Sequence, residues 1–204
     1  MTKVDLKVVL LGHQNVGKSC VVDRFLNSKF DSAQKNTIGA AFGAKRVFLP
    51  SGQGMTLGIW DTAGAERFES LSRVYYHSAG VALICFDPSN FDSWLKLEFW
   101  VSELHENEPQ CRIYLIETKY DQIESGGERA VSEADVKSYA ADIDATVVRT
   151  SAKTGLNVAE LFVGVARDHH DVMHRAERQV AGNTIHIQPA VARSKKELPN
   201  PCCS

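Results

Sequence analysis

The stretch Gly12-His13-Gln14-Asn15-Val16-Gly17-Lys18-Ser19 follows directly on the apolar, β-branched run Val4 to Leu11 and runs into helically spaced Val21, Val22, Phe25 and Leu26. It is a full G-x-x-x-x-G-K-S match, with the strand before it and the helix after it that the pattern requires. The glycines of such a loop let backbone N–H groups wrap a phosphate chain, and the helix that starts there adds the positive end of its dipole. Lys18 then reaches the β and γ phosphates and Ser19 coordinates Mg²⁺. A chance glycine-rich turn is the alternative, and the flanking strand and helix weigh against it. The motif points to a nucleoside triphosphate without choosing the base.

A strand that opens into a phosphate loop belongs to an alternating α/β architecture. The rest of the chain keeps that alternation. Residues 31–39 break both periods and read as a loop. Phe42 to Leu49, the turn 50–54 and Met55 to Trp60 read as a hairpin. Val81 to Phe86, Cys111 to Ile116 and Ala145 to Arg149 read as further strands. Trp94, Leu97, Trp100, Val101 and Leu104 mark one helix. Ser132 followed by Asp135 opens another, and Val158, Leu161, Phe162, Val165 and Val172 mark the last. The expected fold is α/β and doubly wound: a six-stranded, mostly parallel sheet with one antiparallel edge strand and about five helices. From residue 176 the apolar period fades, so residues 1–175 read as the domain and 176–204 as a flexible tail.

The 204 residues suit one domain plus a tail, and 44% hydrophobic with 24% charged residues is ordinary for a soluble globular chain. A net charge of −2 argues against nucleic-acid binding, which needs a cationic field. The longest apolar run, Val81 to Phe86, is far too short to span a bilayer, and the N-terminus lacks a signal-peptide cleavage site. The five cysteines (Cys20, Cys85, Cys111, Cys202 and Cys203) follow neither a zinc spacing nor a secreted disulfide framework. These features suggest a reduced, cytosolic-side protein.

Ligands of doubly wound folds sit at the carboxyl ends of the strands. The third strand ends in Trp60-Asp61-Thr62-Ala63-Gly64, where Asp61 suits Mg²⁺ binding through water and Gly64 brings an N–H close to the γ-phosphate. The fifth runs into Thr118-Lys119-Tyr120-Asp121. Asp121 can accept from guanine N1 and N2, a donor pair that adenine lacks, and the stem of Lys119 can cover the base. The sixth runs into Thr150-Ser151-Ala152-Lys153, where a backbone N–H can meet guanine O6. Four ligand-competent loops in order are far more specific than any one alone.

With these loops in place the sequence resembles the Ras superfamily of small GTPases over residues 4 to about 175, and most of all the Rab family. Thr37-Ile38-Gly39-Ala40-Ala41-Phe42 is similar to the Rab first switch. WDTAG at 60–64 and Tyr75-Tyr76-His77-Ser78-Ala79-Gly80 are similar to the second. Cys202-Cys203-Ser204 resembles the double-cysteine Rab terminus. NTIGAAFGAK, TLGIWDTAG and TKYD look most like an atypical branch, Rab twenty-four, linked with autophagic and late endosomal membranes. The resemblance implies a GTP/GDP switch with Mg²⁺ as cofactor, in which Lys18, Thr37, Gly64 and position 65 serve hydrolysis. It implies nucleotide contacts from Gly12, Asn15, Val16, Gly17, Lys18, Ser19, Cys20, Phe30, Thr37, Gly64, Thr118, Lys119, Asp121, Ser151, Ala152 and Lys153. Ser19, Thr37 and, through water, Asp61 hold the metal. Phe42, Trp60 and Tyr75 form an effector face, with core packing the alternative for each. The implied partners are Rab effectors, an exchange factor, a GTPase-activating protein, an escort protein and a GDP-dissociation inhibitor. Geranylgeranyl groups on Cys202 and Cys203 would anchor the chain to the cytosolic face of endomembranes.

Two departures from the family pattern bear on function. The family has Gln where this chain has Ala65, so the water-orienting amide is missing; one positioned polar group is worth about 2–4 kcal/mol, and slow intrinsic hydrolysis is expected. Thr118 stands where the family has Asn, so part of the bonding between base and phosphate loop should be lost. Gln14 occupies a phosphate-loop position where a side chain can crowd the hydrolytic geometry, and Cys20 is either a reactive thiol or a small buried residue. His169, His170 and His174 lack the companions of a metal site. The tail from Asp168 carries five Lys or Arg against four Asp or Glu, which is not polybasic. The competing readings are a GTP-bound, non-hydrolysing scaffold and an ATP-dependent P-loop enzyme, which Asp121 disfavours.

Overall fold

The computed structural model describes residues 3–34, 36–64 and 69–182. Ala65, Cys202 and Cys203 lie outside the described residues. The elements run β1 (Leu6–Leu11), α1 (Lys18–Asn27), β2 (Ala40–Phe48), β3 (Gly54–Thr62), α2 (Glu69–Tyr76), β4 (Val81–Phe86), α3 (Phe91–Asn107), β5 (Arg112–Glu117), α4 (Tyr120–Glu124), α5 (Glu133–Asp142), β6 (Thr146–Arg149) and α6 (Val158–Gly182). The strands form one sheet in the order β2-β3-β1-β4-β5-β6. Only the β2–β3 pair is antiparallel, as the short connection 49–53 dictates.

Alternation along the strands sends successive side chains to opposite faces and creates two cores. On one face Val8 and Leu10 of β1 meet α1 and α6, where Phe25 and Phe162 stack with ring centroids 3.9 Å apart. On the other, Val9 and Leu11 meet Leu97, Trp100 and Leu104 of α3 and Val136 of α5. Every residue of β4 is buried, as a central parallel strand covered on both faces requires. Burying each large apolar side chain contributes about 1.5–3 kcal/mol, so the two layers of helices fix the sheet and hence its loop-bearing edge. α3 and α5 start at side-chain caps: Asn90 accepts from the Ser93 N–H and Ser132 from the Asp135 N–H.

Several expected boundaries shift. β1 begins at Leu6 rather than Val4, and β2 begins at Ala40, two residues before Phe42. Six helices are described against about five expected, because α4 is a five-residue turn too short to show an apolar period. α6 continues to Gly182, past the boundary at 175.

Candidate functional site

Strand register places the site. Leu10 pairs with Asp61, so the β3 carboxylate emerges where β1 gives way to Gly12. Gly12 has φ +133°, and a Cβ there would lie 2.2 Å from the carbonyl oxygen of Cys85, so only glycine lets the chain turn out of the sheet. Gly17 then leads into α1, whose first turn has no side-chain cap and leaves its amides available to an anion. A cleft of about 620 Å³ opens above these strand ends. Among its lining residues are Asn15, Gly17, Lys18, Ser19, Cys20, Phe30, Thr37, Gly64, Thr118, Lys119, Asp121, Ala152 and Lys153. Of the sequence-predicted nucleotide contacts, Gly12, Val16 and Ser151 are not among its lining residues.

Lys18 is buried, and its ammonium donates to the carbonyls of Gly12 and His13, both at 2.9 Å. Burial lowers its pKa, and Cys85 and the nearby Asp61 carboxylate pull the other way. An ammonium has three donors, so a further one remains for a phosphate oxygen. Gly64 closes this end: a Cβ on it would sit 2.5 Å from both the Gln14 amide nitrogen and Lys18 Nζ. No side chain fits between the phosphate loop and the end of β3, which keeps the Gly64 backbone against the loop.

Three oxygen-bearing side chains converge beside Lys18. Ser19 Oγ and Thr37 Oγ1 are 2.7 Å apart, and Thr37 Oγ1 donates to Asp61 Oδ2 at 3.4 Å. Asp61 is 5% exposed, and its other oxygen, Oδ1, is buried with no hydrogen-bond partner among the described residues. Burial pushes the Asp61 carboxyl above its ordinary range, with hydrogen bonds to Ser19 and Thr37 and the Lys18 charge opposing it. An unpartnered buried carboxylate oxygen beside two hydroxyls is the hard-oxygen donor set that suits Mg²⁺. The residues present therefore fit the metal that the sequence implies.

At the other end the loops after β5 and β6 meet. Ser151 Oγ donates to Asp121 Oδ1 at 2.6 Å, and Lys119, at φ +52°, sets its ammonium 2.9 Å from Asp87. Pinning Nζ stretches the aliphatic stem along one wall of the cleft. Arg24 of α1 donates to the carbonyls of Ala152 at 2.6 Å and Lys153 at 2.9 Å, fixing the loop that carries the Ala152 N–H. Neither Arg24 nor Asp87 was legible as a site residue. Arg24 reads as the polar face of α1, and its target lies 128 positions away.

Thr118 is 1% exposed, and its hydroxyl donates to the carbonyls of Val16 at 2.6 Å and Phe86 at 2.9 Å. The tie between the base loop and the phosphate loop is therefore retained. What a single hydroxyl proton cannot add is a second bond towards a base. Cys20 is half-buried and donates to Gln34 Oε1 at 3.0 Å. Burial raises its pKa, with Asp23 adding to the effect, and this counts against the reactive-thiol reading. Phe42 is 58% exposed and sits across from Trp60, with ring centroids 4.7 Å apart. Trp60 also lies under the Lys7 ammonium, and the Tyr75 hydroxyl approaches Gly39. The three aromatics are thus on the surface beside residues 37–39, neither wholly core nor wholly free. On α6, His170 bonds Gln53 of the hairpin turn at 2.8 Å and meets His174 in a tilted ring contact.

A doubly wound sheet of this order, with a phosphate loop after its first strand and the oxygen cluster and acid-bearing loop above it, defines a P-loop GTPase. The Ras family pattern matches residues 7–171. The chain is 40% identical over 202 residues to the Ras-related protein Rab-24 of Dictyostelium discoideum, covering 99% of this chain and 98% of that one. It is 43% identical over 164 residues to human Ras-related protein Rab-31, covering 80% and 82%. It is 39% identical over 165 residues to the GTP-binding protein ypt5 of Schizosaccharomyces pombe, covering 80% and 77%. The chain belongs to the Ras family and, within it, to the Rab-type small GTPases.

Proposed function

We propose that this GTPase is a membrane-associated switch of vesicle trafficking with slow intrinsic turnover. The observation that carries the reading is the cleft above the strand ends. Lys18, Ser19 and Thr37 line one end, with Asp61 bonded to Thr37, and Asp121 and Ala152 line the other, with Ser151 bonded to Asp121. The phosphate chain lies over the phosphate loop and the start of α1, with Lys18 donating to the β and γ oxygens. Ser19, Thr37 and, through water, Asp61 would hold Mg²⁺, which would supply charge neutralisation at the phosphates. The Gly64 N–H and the Lys18 ammonium meet the charge that develops as the terminal phosphoryl is transferred to water. Asp121 accepts from guanine N1 and N2, and Phe30 and the Lys119 stem enclose the base. Phe42, Trp60 and Tyr75 lie beside Thr37, where a γ-phosphate-dependent change in the first switch would reach them and alter the fit of effectors. An exchange factor and a GTPase-activating protein set the occupancy. An escort protein and a GDP-dissociation inhibitor handle the lipidated tail, at endosomal or autophagic membranes.

Base choice provides the test. Asp121→Asn should shift preference from GTP towards XTP, because the amide suits the xanthine carbonyl. Nucleotide competition measures this, and undiminished GTP affinity in the variant would remove Asp121 from the base site.

The second reading, a GTP-bound scaffold that does not hydrolyse, is favoured by Ala65 alone. Single-turnover hydrolysis with and without a Rab-activating protein separates the two. Ala65→Gln should raise the intrinsic rate by about 10²–10³, the worth of one positioned polar group. An unchanged rate would place the defect elsewhere in the phosphate loop, with Gln14 the first position to vary.

A further inference from the structure

Glu117, the last residue of β5, ends a buried strand with a charge. It is 1% exposed, deeper than any other carboxylate among the described residues. Both of its oxygens are taken. Arg129, from the segment between α4 and α5, donates to Oε1 at 2.6 Å and reaches Oε2 at 3.5 Å. Arg149, the last residue of β6, lies 3.2 Å from Oε2 and continues to Glu133 of α5 at 2.7 Å. The Glu117–Arg149 pair is set by the sheet itself, since the two residues are register partners across β5 and β6. The backbone repeats the link: the Thr150 N–H donates to the Glu117 carbonyl at 2.7 Å, and the Tyr120 N–H to the Thr150 carbonyl at 3.0 Å. The Arg149 guanidinium also lies over the Tyr120 ring, 5.1 Å from its centroid.

These four charged groups sum to zero and sit at the root of both base-facing loops, one starting at Thr118 and the other at Thr150. A buried ion pair is no better for stability than a well-packed apolar one, so its presence here calls for a geometric reason. Thr118 spends its one side-chain donor on the carbonyls of Val16 and Phe86 and cannot brace the base side. We propose that Glu117 is a positioning residue for guanine recognition. Its carboxylate, clamped between Arg129 and Arg149, holds Asp121 and the Ser151–Lys153 loop at the spacing the base edge requires. The inference rests on the guanine assignment of these loops and adds what sets their separation.

The experiment compares release and affinity of fluorescent GDP with those of the inosine analogue, which lacks the exocyclic amino group that Asp121 would read. Glu117→Gln keeps the shape and loses the charge. We expect about tenfold faster GDP release, a narrowed GDP-over-inosine preference, and an unaltered dependence of release on Mg²⁺. Glu117→Asp, which retains the charge, should recover part of the preference. If Glu117→Gln speeds release of both nucleotides equally, or of neither, the positioning role is overturned, because a purely structural defect does not read the amino group. Should Glu117→Gln not fold, Glu117→Gln/Arg149→Gln, which pairs two neutral amides, is measured in the same way and judged by the same ratio. A parent chain without any GDP-over-inosine preference would overturn the base assignment itself, and the positioning role with it.

Discussion

Thr118 has one hydroxyl proton and two carbonyl acceptors facing it, those of Val16 and Phe86. The Phe86 carbonyl also receives the Thr118 backbone N–H at 2.9 Å, whereas the Val16 carbonyl depends on the hydroxyl for its tie to this loop. Thr118→Val keeps the shape and deletes the donor. It should lower stability by about 1–3 kcal/mol, the cost of an orphaned buried carbonyl, and accelerate GDP release. Chemical denaturation and fluorescent-nucleotide dissociation measure the two effects. Unchanged release with lowered stability would make Thr118 a core residue without influence on the phosphate loop. The same residue marks the limit of reading a sequence. Its identity signals a loss relative to Asn, but only the fold reveals which half of the bonding survives.

Among the elements, α6 carries a pH dependence whose sign follows from burial. His169 is partly buried against Gly80, and burial, with His170 beside it, depresses its pKa below the ordinary 6.5. The folded chain therefore binds this proton less readily than the unfolded one. The contribution is present in full above the unfolded value of about 6.5 and is lost as pH falls through the folded value. Urea unfolding should show stability declining below neutrality, and His169→Gln should flatten that decline; an identical slope in both would assign it to other groups. Periodic elements such as this one were legible beforehand, because β4, α3 and the docked part of α6 bury faces that write their period into the residues. α4 was not, being a single turn held by the loop it sits in. The phosphate loop and the acids of β3 and the β5 loop were legible because their chemistry is local. Arg24 and the Glu117–Arg149 pair were not, since what identifies them is a partner brought near by sheet register.

At the scale of the whole molecule, no described helix is long and apolar enough to cross a bilayer. On the proposed reading, lipid chains on Cys202 and Cys203 supply the membrane attachment. One lipid chain anchors marginally and two anchor stably, at about 0.8 kcal/mol per buried CH₂. Cys202→Ser/Cys203→Ser should fractionate as soluble protein and still bind GTP, with the single variants partly displaced. Retention of the double variant on membranes would transfer the anchoring to protein partners. The turn at Gly12 carries a different kind of consequence. The obstacle to a side chain there is the Cys85 carbonyl, part of β4, which is bonded to β1 on one side and β5 on the other. Trimming a neighbouring side chain cannot relieve it; the central strand itself would have to move. Any single-base change in a glycine codon that alters the residue introduces a Cβ or a stop, so the synonymous changes are the tolerated neighbours of this codon and no side-chain suppressor is within reach.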